Sequence, residues 1–329
     1  MIRRRPLLLW LGLTASCALA ESDPAVTLTR LADRVRVEAG GQWFTEYIYG
    51  DGARRPYLYP ILAADGTPLT RDFPMQSPAG EEQDHPHHRS LWFAHSSVNG
   101  IDFWNEDPAG GNTPKGRIVN DTLTTAADGP AGVIHATEQW LGPAGELVCT
   151  SETTLRFQAT AAGRFIDCTV TLHARPEAPL LLGDNKDGVM AIRLAQWLTL
   201  PHQSGSRPVP GRGHIVTAKG DRDAAAWGRR ADWCDYHAPH DGQTYGVAIF
   251  DHPQNLRHPT WWMARDYGLF AANPLGRHDF EGRKDQPHLG DHVIPAGGAL
   301  TLRYRFYFHL GDEIAAQVAA HYAGYVAEK

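Results

Sequence analysis

Polar and apolar residues alternate with a period of two along most of this chain, which is typical of half-buried β-strands. The clearest alternating runs are Val26–Leu31, Val35–Ala39, Leu147–Phe157, Phe165–Leu172 and Leu300–His309. Gly163 provides the turn between the third run and the fourth. Because antiparallel sheets with one solvated face produce this pattern, it predicts an all-β fold built of antiparallel sheets.

A helical period stands out near the end of the chain. Ile314, Val318 and Tyr322 recur at helical spacing, and Asp312 precedes them in the position of an N-cap. We therefore predict a short C-terminal helix over Glu313–Ala327 that packs on the sheets.

The first residues have the pattern of an export signal. Arg3–Arg5 form a basic segment, Leu7–Leu13 form a short apolar segment, and Ala18–Ala20 is a small-residue cleavage site. The apolar segment is well below the ~20 residues that span a bilayer. We predict a signal peptide over residues 1–20, cleavage after Ala20, and a periplasmic or secreted single β-sandwich domain over residues 21–329. We expect no integral membrane span in the mature chain.

Composition narrows the function classes. The formal charge is −6, which argues against a nucleic-acid partner because such proteins present a basic stripe. Cys149, Cys168 and Cys234 are too few for a disulfide framework, so we expect buried free thiols with at most one bridge. No phosphate-binding loop, dinucleotide fingerprint or serine-hydrolase elbow occurs in the sequence, so nucleotide cofactors and serine-hydrolase chemistry are not expected.

The sharpest chemical signal is Asp84-His85-Pro86-His87-His88-Arg89, just before a strand-like run. Histidine is the usual acid or base near neutral pH and the commonest ligand of zinc or copper. With strand alternation, His85 and His87 share one face and His88 lies on the other. At most two neighbouring imidazoles could then bind one metal. The alternative interpretation is a histidine-rich surface loop.

Three further segments concentrate polar and aromatic groups. In residues 98–104, Asp102 and Trp104 are expected to point to one face. Trp104 could be a platform on which a sugar packs, or a residue of the hydrophobic core. In residues 183–193, Asp187 could act as a base and Lys186 could bind an oxyanion, or both could belong to a polar turn.

The third segment, residues 257–276, combines aromatic, histidine and charged residues and closes on Asn273. Arg265 could clamp a carboxylate or phosphate, or pair with Asp266 to fix a loop. Such groups concentrated on a loop favour a site.

At these segments the sequence resembles a bacterial family, a domain of unknown function, that carries the label "methane oxygenase PmoA-like". The matching residues are Arg55–Pro60, Asp84–Arg89, Asn99–Trp104, Lys186–Gly188, Asp251–Asn255, His258–Thr260 and Arg265–Pro274. At position 263 the family is expected to have a histidine, whereas this chain has Met263. Methane oxidation is rejected because the membrane subunit evoked by the label has many transmembrane helices and this chain has none after its signal peptide.

The segment Pro295–Asp312 is also similar, more loosely, to the last strand of galactose-mutarotase-like β-supersandwiches. This resemblance implies a two-sheet antiparallel supersandwich whose concave sheet carries a sugar-binding groove. Fold alone does not fix function.

The leading hypothesis is an exported carbohydrate-active enzyme that uses general acid–base chemistry for epimerisation, elimination or hydrolysis of a small carbohydrate, without a cofactor. The candidate catalytic residues are His85, His88 and Asp187. The candidate substrate-binding residues are Arg89, Asp102, Trp104, Lys186, Trp262, Arg265 and Asn273. Two alternatives stay open: a zinc or copper enzyme with His85, His87 and His258 as ligands, and a non-catalytic glycan-binding module.

Overall fold

The structure is a computed structural model that describes residues 23–106 and 113–328. The predicted signal peptide over residues 1–20 lies outside these ranges. Within them no helix is both long and apolar enough to cross a membrane.

The described residues form twenty strands and two α-helices, numbered in chain order. The first ten strands are β1 (Val26–Arg30), β2 (Arg34–Ala39), β3 (Gln42–Ile48), β4 (Tyr57–Leu58), β5 (Leu91–His95), β6 (Arg117–Asp128), β7 (Ala131–Leu141), β8 (Leu147–Thr160), β9 (Gly163–His173) and β10 (Leu180–Leu182). The other ten are β11 (Gly188–Arg193), β12 (His202–Ser204), β13 (Arg207–Val209), β14 (His214–Thr217), β15 (Trp233–His240), β16 (Gln243–Asp251), β17 (Trp261–Ala264), β18 (Leu269–Asn273), β19 (His292–Ile294) and β20 (Ala299–Leu310). The helices are α1 (Arg277–Phe280) and α2 (Val318–Ala327).

Two eight-stranded antiparallel sheets carry the fold. The first has the order β1-β2-β3-β4-β5-β11-β18-β17, and the second has the order β14-β15-β16-β20-β9-β8-β7-β6. Each sheet draws strands from both halves of the chain. The prediction of an all-β, two-sheet antiparallel sandwich with a short C-terminal helix is confirmed.

The predicted hairpin around Gly163 is also confirmed. Strands β8 and β9 pair along their whole length, and Cys168 lies opposite Leu155 rather than opposite Cys149. The three described cysteines are buried and free, as the sequence predicted. Burial raises the pKa of the Cys149 thiol to about 12, so this side chain is a packing residue and not a nucleophile.

The C-terminal helix starts later than the sequence predicted. It begins at Val318 with Gln317 at its N-cap, and not at Glu313. Asp312 instead caps the turn before it, where its Oδ1 atom accepts a hydrogen bond of 2.8 Å from the backbone nitrogen of Ala315. Ile314 is 76% exposed. The helix therefore begins only after this turn, although Ile314 fits the helical spacing in the sequence.

Strand alternation separates the two faces of the first sheet. One face carries the cross-strand row Leu58, Leu91, Ile192, Phe270 and Ala264. These side chains are buried in the core that the two sheets share. Full burial of each large apolar side chain contributes roughly 1.5–3 kcal/mol. The opposite face carries the adjacent row, which is Tyr57, Trp92, Ala191, Ala271 and Met263. The candidate site lies on this outer face.

Candidate functional site

A cavity of about 220 Å³ opens on the outer face of the first sheet. It is lined by His85, His87, His88, Trp104, Asn105, Lys186, Asp187, Met263, Arg265, Tyr267 and Leu269. Seven of these residues were candidates from the sequence.

The three histidines reach the same cavity because residues 84–90 form a turn and not a strand. Strand β5 begins only at Leu91. The backbone φ angles of His85 and Ser90 are 45° and 55°, which is the left-handed region. The prediction that His88 faces away from His85 and His87 is therefore wrong, because strand alternation does not apply to a turn.

Four aromatic rings form a stack through this turn. The His85 ring lies parallel to Tyr267 at a centroid distance of 5.4 Å and to His88 at 4.7 Å. His88 in turn stacks on Trp92 at 5.4 Å. The His87 ring stands edge-on to His88 at 4.4 Å. The stack fixes the orientation of imidazoles that a loop would otherwise leave free.

Asp84 is the charged centre beneath the stack. Its Oδ1 atom accepts hydrogen bonds from the guanidinium groups of Arg71 and Arg193, and its Oδ2 atom pairs with Nδ1 of His85. Burial alone would raise the pKa of Asp84. The hydrogen bond from His85 and the charges of Arg193 and Arg71 outweigh burial and lower that pKa well below its usual range. Asp84 is therefore a fixed anion near neutral pH.

The Asp84 contact decides the tautomer of His85. A carboxylate can only accept a hydrogen bond, so Nδ1 of His85 donates and Nε2 carries the lone pair. The His85 side chain is 43% exposed, whereas His88 and His87 are buried. His85 is thus the imidazole that can exchange a proton with a bound ligand.

The other two histidines are neutral at pH 7. Burial, together with the neighbouring His87, lowers the pKa of His88 well below its usual value. Burial and the charge of Arg55 lower the pKa of His87 to about 3. Arg193 donates to Nδ1 of His88 over 3.4 Å, which leaves the proton of His88 on Nε2. Nδ1 of His87 is buried and has no hydrogen-bond partner among the described residues.

Lys186 and Asp187 line the cavity together. Nζ of Lys186 lies 3.2 Å from Oδ1 of Asp187. Asn273 does not line the cavity but holds this pair in place. Its Nδ2 atom donates to the carbonyl oxygens of Asn185 and Lys186 at 3.0 and 2.8 Å. The side chain is fully buried, so Asn273 has no surface for a ligand.

Arg265 reaches the cavity as a cation without a carboxylate partner. Its guanidinium packs over the Trp227 ring at 3.9 Å. No described carboxylate lies within ion-pair distance of it, and its Nε atom is buried without a hydrogen-bond partner in the same set. Asp266 does not pair with it, because the Oδ1 atom of Asp266 accepts the backbone nitrogen of Tyr267 at 3.0 Å.

Two other sequence candidates have structural partners instead of a place in the cavity lining. Arg89 donates to Glu106 over 3.1 Å. Asp102 accepts the backbone nitrogens of Trp104 and Asn105 at 2.8 and 3.0 Å, and it also accepts Lys115. Asp102 therefore positions Trp104, which does line the cavity but is only 1% exposed.

Trp262 lies on the wrong face of its strand to contact a ligand. It has no exposed surface, and its Nε1 atom donates to the carbonyl oxygen of Ala231 at 2.9 Å. The adjacent Met263 points to the cavity instead. A ring enclosed by the core offers no face for a sugar, so Trp262 is a packing residue.

The alternative metal set is not brought together. His258 lies outside the cavity lining, and its Nδ1 atom is 2.8 Å from Oδ2 of the buried Asp251. His85 and His87 thus have no third ligand in His258.

The sequence interpretation missed Arg71, Arg193 and Tyr267 and gave Asp84 no role of its own. Arg193 had a usable signal, because it ends the otherwise apolar run Val189–Arg193. A charge in a buried strand needs a partner. Arg71 and Tyr267 carried no such signal, since both lie in polar loops.

Residues 34–323 match the family described as "Family of unknown function (DUF6807)". The chain belongs to this family. Among curated protein sequences, none matches the chain significantly.

Solved structures with a similar arrangement include sugar-related proteins. A galactose mutarotase-like protein from Clostridium acetobutylicum has 10% identity and a TM-score of 0.38 over 88% of this chain and 99% of its own. One from Lactobacillus casei has 10% identity and a TM-score of 0.34 over 87% and 100%. An α-galactosidase from Geobacillus stearothermophilus has 12% identity and a TM-score of 0.42 over 88% of this chain and 41% of its own. This chain thus spans about two fifths of the α-galactosidase. At these identities and scores the likeness says nothing about substrate or reaction.

Proposed function

We propose that this protein is an exported carbohydrate-active protein that binds one sugar unit in the histidine-lined cavity and acts on it by acid–base chemistry through His85. The observation that carries this proposal is the pairing of an exposed imidazole, His85, with a fixed anion, Asp84, at the wall of this cavity.

The cavity offers the groups that a polyhydroxylated ring needs. His87 has a buried Nδ1 atom without a hydrogen-bond partner among the described residues, and Lys186 and Asp187 present a donor and an acceptor. Tyr267 is half-buried and supplies aromatic surface at the cavity wall, on which the C–H face of a sugar can pack.

The chemistry follows from the His85 tautomer. Nε2 of His85 accepts a proton from a hydroxyl or an acidic C–H group of the sugar, and the Asp84 anion stabilises the resulting imidazolium. The same atom then returns the proton to a ring or leaving-group oxygen. Arg265 and Lys186 are the cations that can stabilise negative charge on the substrate. Epimerisation at the anomeric carbon and elimination use such a step, and hydrolysis uses it with a water molecule as the group that gives up the proton and attacks the anomeric carbon.

The test is a screen of mono- and disaccharides, uronic acids and keto-sugars with purified mature protein, followed by NMR. Wild type should convert at least one sugar, and His85→Asn should lower turnover by at least ~100-fold, the usual worth of general acid–base catalysis. His288→Asn is the control, because His288 is 83% exposed and pairs only with Asp291 among the described residues. Equal turnover in His85→Asn and wild type would contradict the assignment of His85.

A non-catalytic glycan-binding module is the second candidate. The low pKa values of His87 and His88 favour it, because neutral buried imidazoles serve as hydrogen-bonding groups and not as acids. Sugar binding without conversion in both wild type and His85→Asn would support this candidate over the enzyme.

Export rests on the sequence pattern of residues 1–20. Mass spectrometry of protein recovered from the periplasm or medium should find an N-terminus at Glu21. An intact N-terminus in a cytoplasmic fraction would contradict export.

A further inference from the structure

A second cluster of titratable side chains lies far from the sugar cavity, on the outer face of the second sheet. Asp235 and His237 lie two residues apart on β15, so they point to the same side of the strand. Glu313 comes from the turn that leads into α2. All three residues are buried. The acid–base chemistry proposed above uses none of them.

The donor atoms of these three residues converge. Nδ1 of His237 lies 2.8 Å from Oδ1 of Asp235 and 3.7 Å from Oε2 of Glu313. The three donor atoms all lie within 4.8 Å of one another. Ligands about 2.0–2.1 Å from a tetrahedral zinc ion lie about 3.3 Å apart. The distances of 2.8 and 3.7 Å fall on either side of that value, so an ion can enter with small side-chain shifts.

The second oxygen of each carboxylate is held by another residue. Oδ2 of Asp235 pairs with Nε2 of His309 at 2.7 Å. Oε1 of Glu313 accepts Nη2 of Arg222 at 2.9 Å. One oxygen of each carboxylate is therefore turned toward His237. Outer partners that orient the ligands in this way are a regular feature of metal sites.

The backbone makes room for the outer partner His309. A Cβ atom on Gly246 would lie 2.1 Å from Cε1 of that ring. A glycine is thus needed at this position on β16 for His309 to reach Asp235. The arrangement is built into the sheet and does not depend on a flexible surface side chain.

A neighbouring histidine can complete the coordination. His214, on β14, lies directly opposite His237. Their ring centroids are 5.7 Å apart, and the His214 side chain is 60% exposed. Two imidazoles at this spacing can bind one ion after a rotation of His214. Otherwise water fills the fourth position.

We propose that Asp235, His237 and Glu313 bind a divalent transition-metal ion, with zinc as the best match to one imidazole and two carboxylates. Nitrogen and carboxylate ligands suit zinc and its neighbours in the first row. Because Glu313 belongs to the turn before α2, the ion joins the C-terminal segment to β15. The inference is independent of the sugar site.

The test is a titration of tag-free, metal-stripped mature protein with ZnCl₂ in competition with a chromophoric chelator. Wild type should bind one equivalent. Glu313→Gln and His237→Asn should each weaken the affinity at least ~10-fold, in the range known for perturbed metal sites. His288→Asn, an exposed histidine with an acidic partner like His237, should bind as wild type does. Circular dichroism establishes that each variant is folded.

Thermal unfolding gives a second readout. Zinc at about 100 times the wild-type dissociation constant should raise the melting temperature of wild type by about 4 °C and that of Glu313→Gln by at most about 2 °C. The cobalt-substituted protein should show visible absorption bands that Glu313→Gln lacks. No stoichiometric binding by wild type overturns the proposal. Zinc binding that survives in Glu313→Gln but is lost in His87→Ala also overturns it, because the ion would then lie in the sugar cavity.

Discussion

Asp84→Asn is the substitution that most sharply tests the charge arrangement of the site. The side chains of Arg71 and Arg193 are 2% and 1% exposed, and Asp84 is the carboxylate that pairs with both of them. An asparagine of the same shape keeps one oxygen as an acceptor but leaves two buried guanidinium groups without a counter-charge. Removing one partner of a buried ion pair costs about 3–5 kcal/mol.

The expected cost is smaller than that range because the Asp84 side chain is 28% exposed, so water screens part of the interaction. We expect Asp84→Asn to lower the free energy of unfolding by about 2–3 kcal/mol, measured by urea denaturation at pH 7. Turnover should fall as well, since a neutral amide cannot stabilise protonated His85.

Asp266→Asn is the matched control. Asp266 is exposed at the edge of the same site, and asparagine can still accept the backbone nitrogen of Tyr267. Its effect should stay within about 0.5 kcal/mol. A double-mutant cycle of Asp84→Asn with Arg193→Met should give a coupling energy above about 1 kcal/mol. If Asp84→Asn is as stable as the control, the interpretation of Asp84 as the charge centre is wrong.

Three further substitutions test other buried polar groups by urea denaturation. Burial raises the pKa of Glu138 from 4.5 to about 7, so folding favours its protonated form. The free energy of unfolding of wild type should therefore fall by ~3 kcal/mol as the pH rises from 4.5 to 7. Glu138→Gln should remove that loss. Burial and the charge of Arg55 lower the pKa of His87 from 6.5 to about 3, so folding favours the neutral ring. The free energy of unfolding of wild type should therefore fall by ~4 kcal/mol as the pH falls from 6.5 to 3. In His87→Gln the free energy of unfolding should fall by less over the same range. Asn273→Ala removes four hydrogen bonds to the backbone and should cost about 2–4 kcal/mol and weaken sugar binding by displacing Lys186. Unchanged pH profiles, or wild-type stability in Asn273→Ala, would contradict these assignments.

The two-sheet fold could be predicted because period-two alternation survives wherever one face of a strand is buried. Leu147–Phe157 and Phe165–Leu172 correspond to β8 and β9, with the turn at Gly163. The start of the helix could not be predicted from the same rule. Ile314 fits the helical period, but Asp312 caps a separate turn that contains Ile314 and precedes the helix.

The site was predicted in part, and the errors share a physical origin. His85 and His88 were assigned opposite faces because alternation was extended into a turn with two left-handed residues. Trp262 was assigned to the site, although strand pairing places Met263 there. A one-residue shift in the assumed strand exchanges the two faces, and only the pairing of β17 with β18 settles which residue points outward.

The charge network depended on contacts that the sequence does not show. Asp84 and Arg193 lie 109 residues apart in the sequence, and Arg71 lies further still from Arg193; the three meet only when β5 and β11 pair. Buried charge in a strand predicts that a partner exists but does not say which residue it is.

The most direct test of the central claim is ¹⁵N NMR of the histidine side chains during addition of a sugar that the protein binds. The account predicts that the Nε2 resonance of His85 and the Nδ1 resonance of His87 shift in proportion to occupancy, while the resonances of exposed His288 do not. Saturable sugar binding that leaves the His85 and His87 resonances unchanged would show that the ligand lies elsewhere, and it would contradict a sugar site in this cavity.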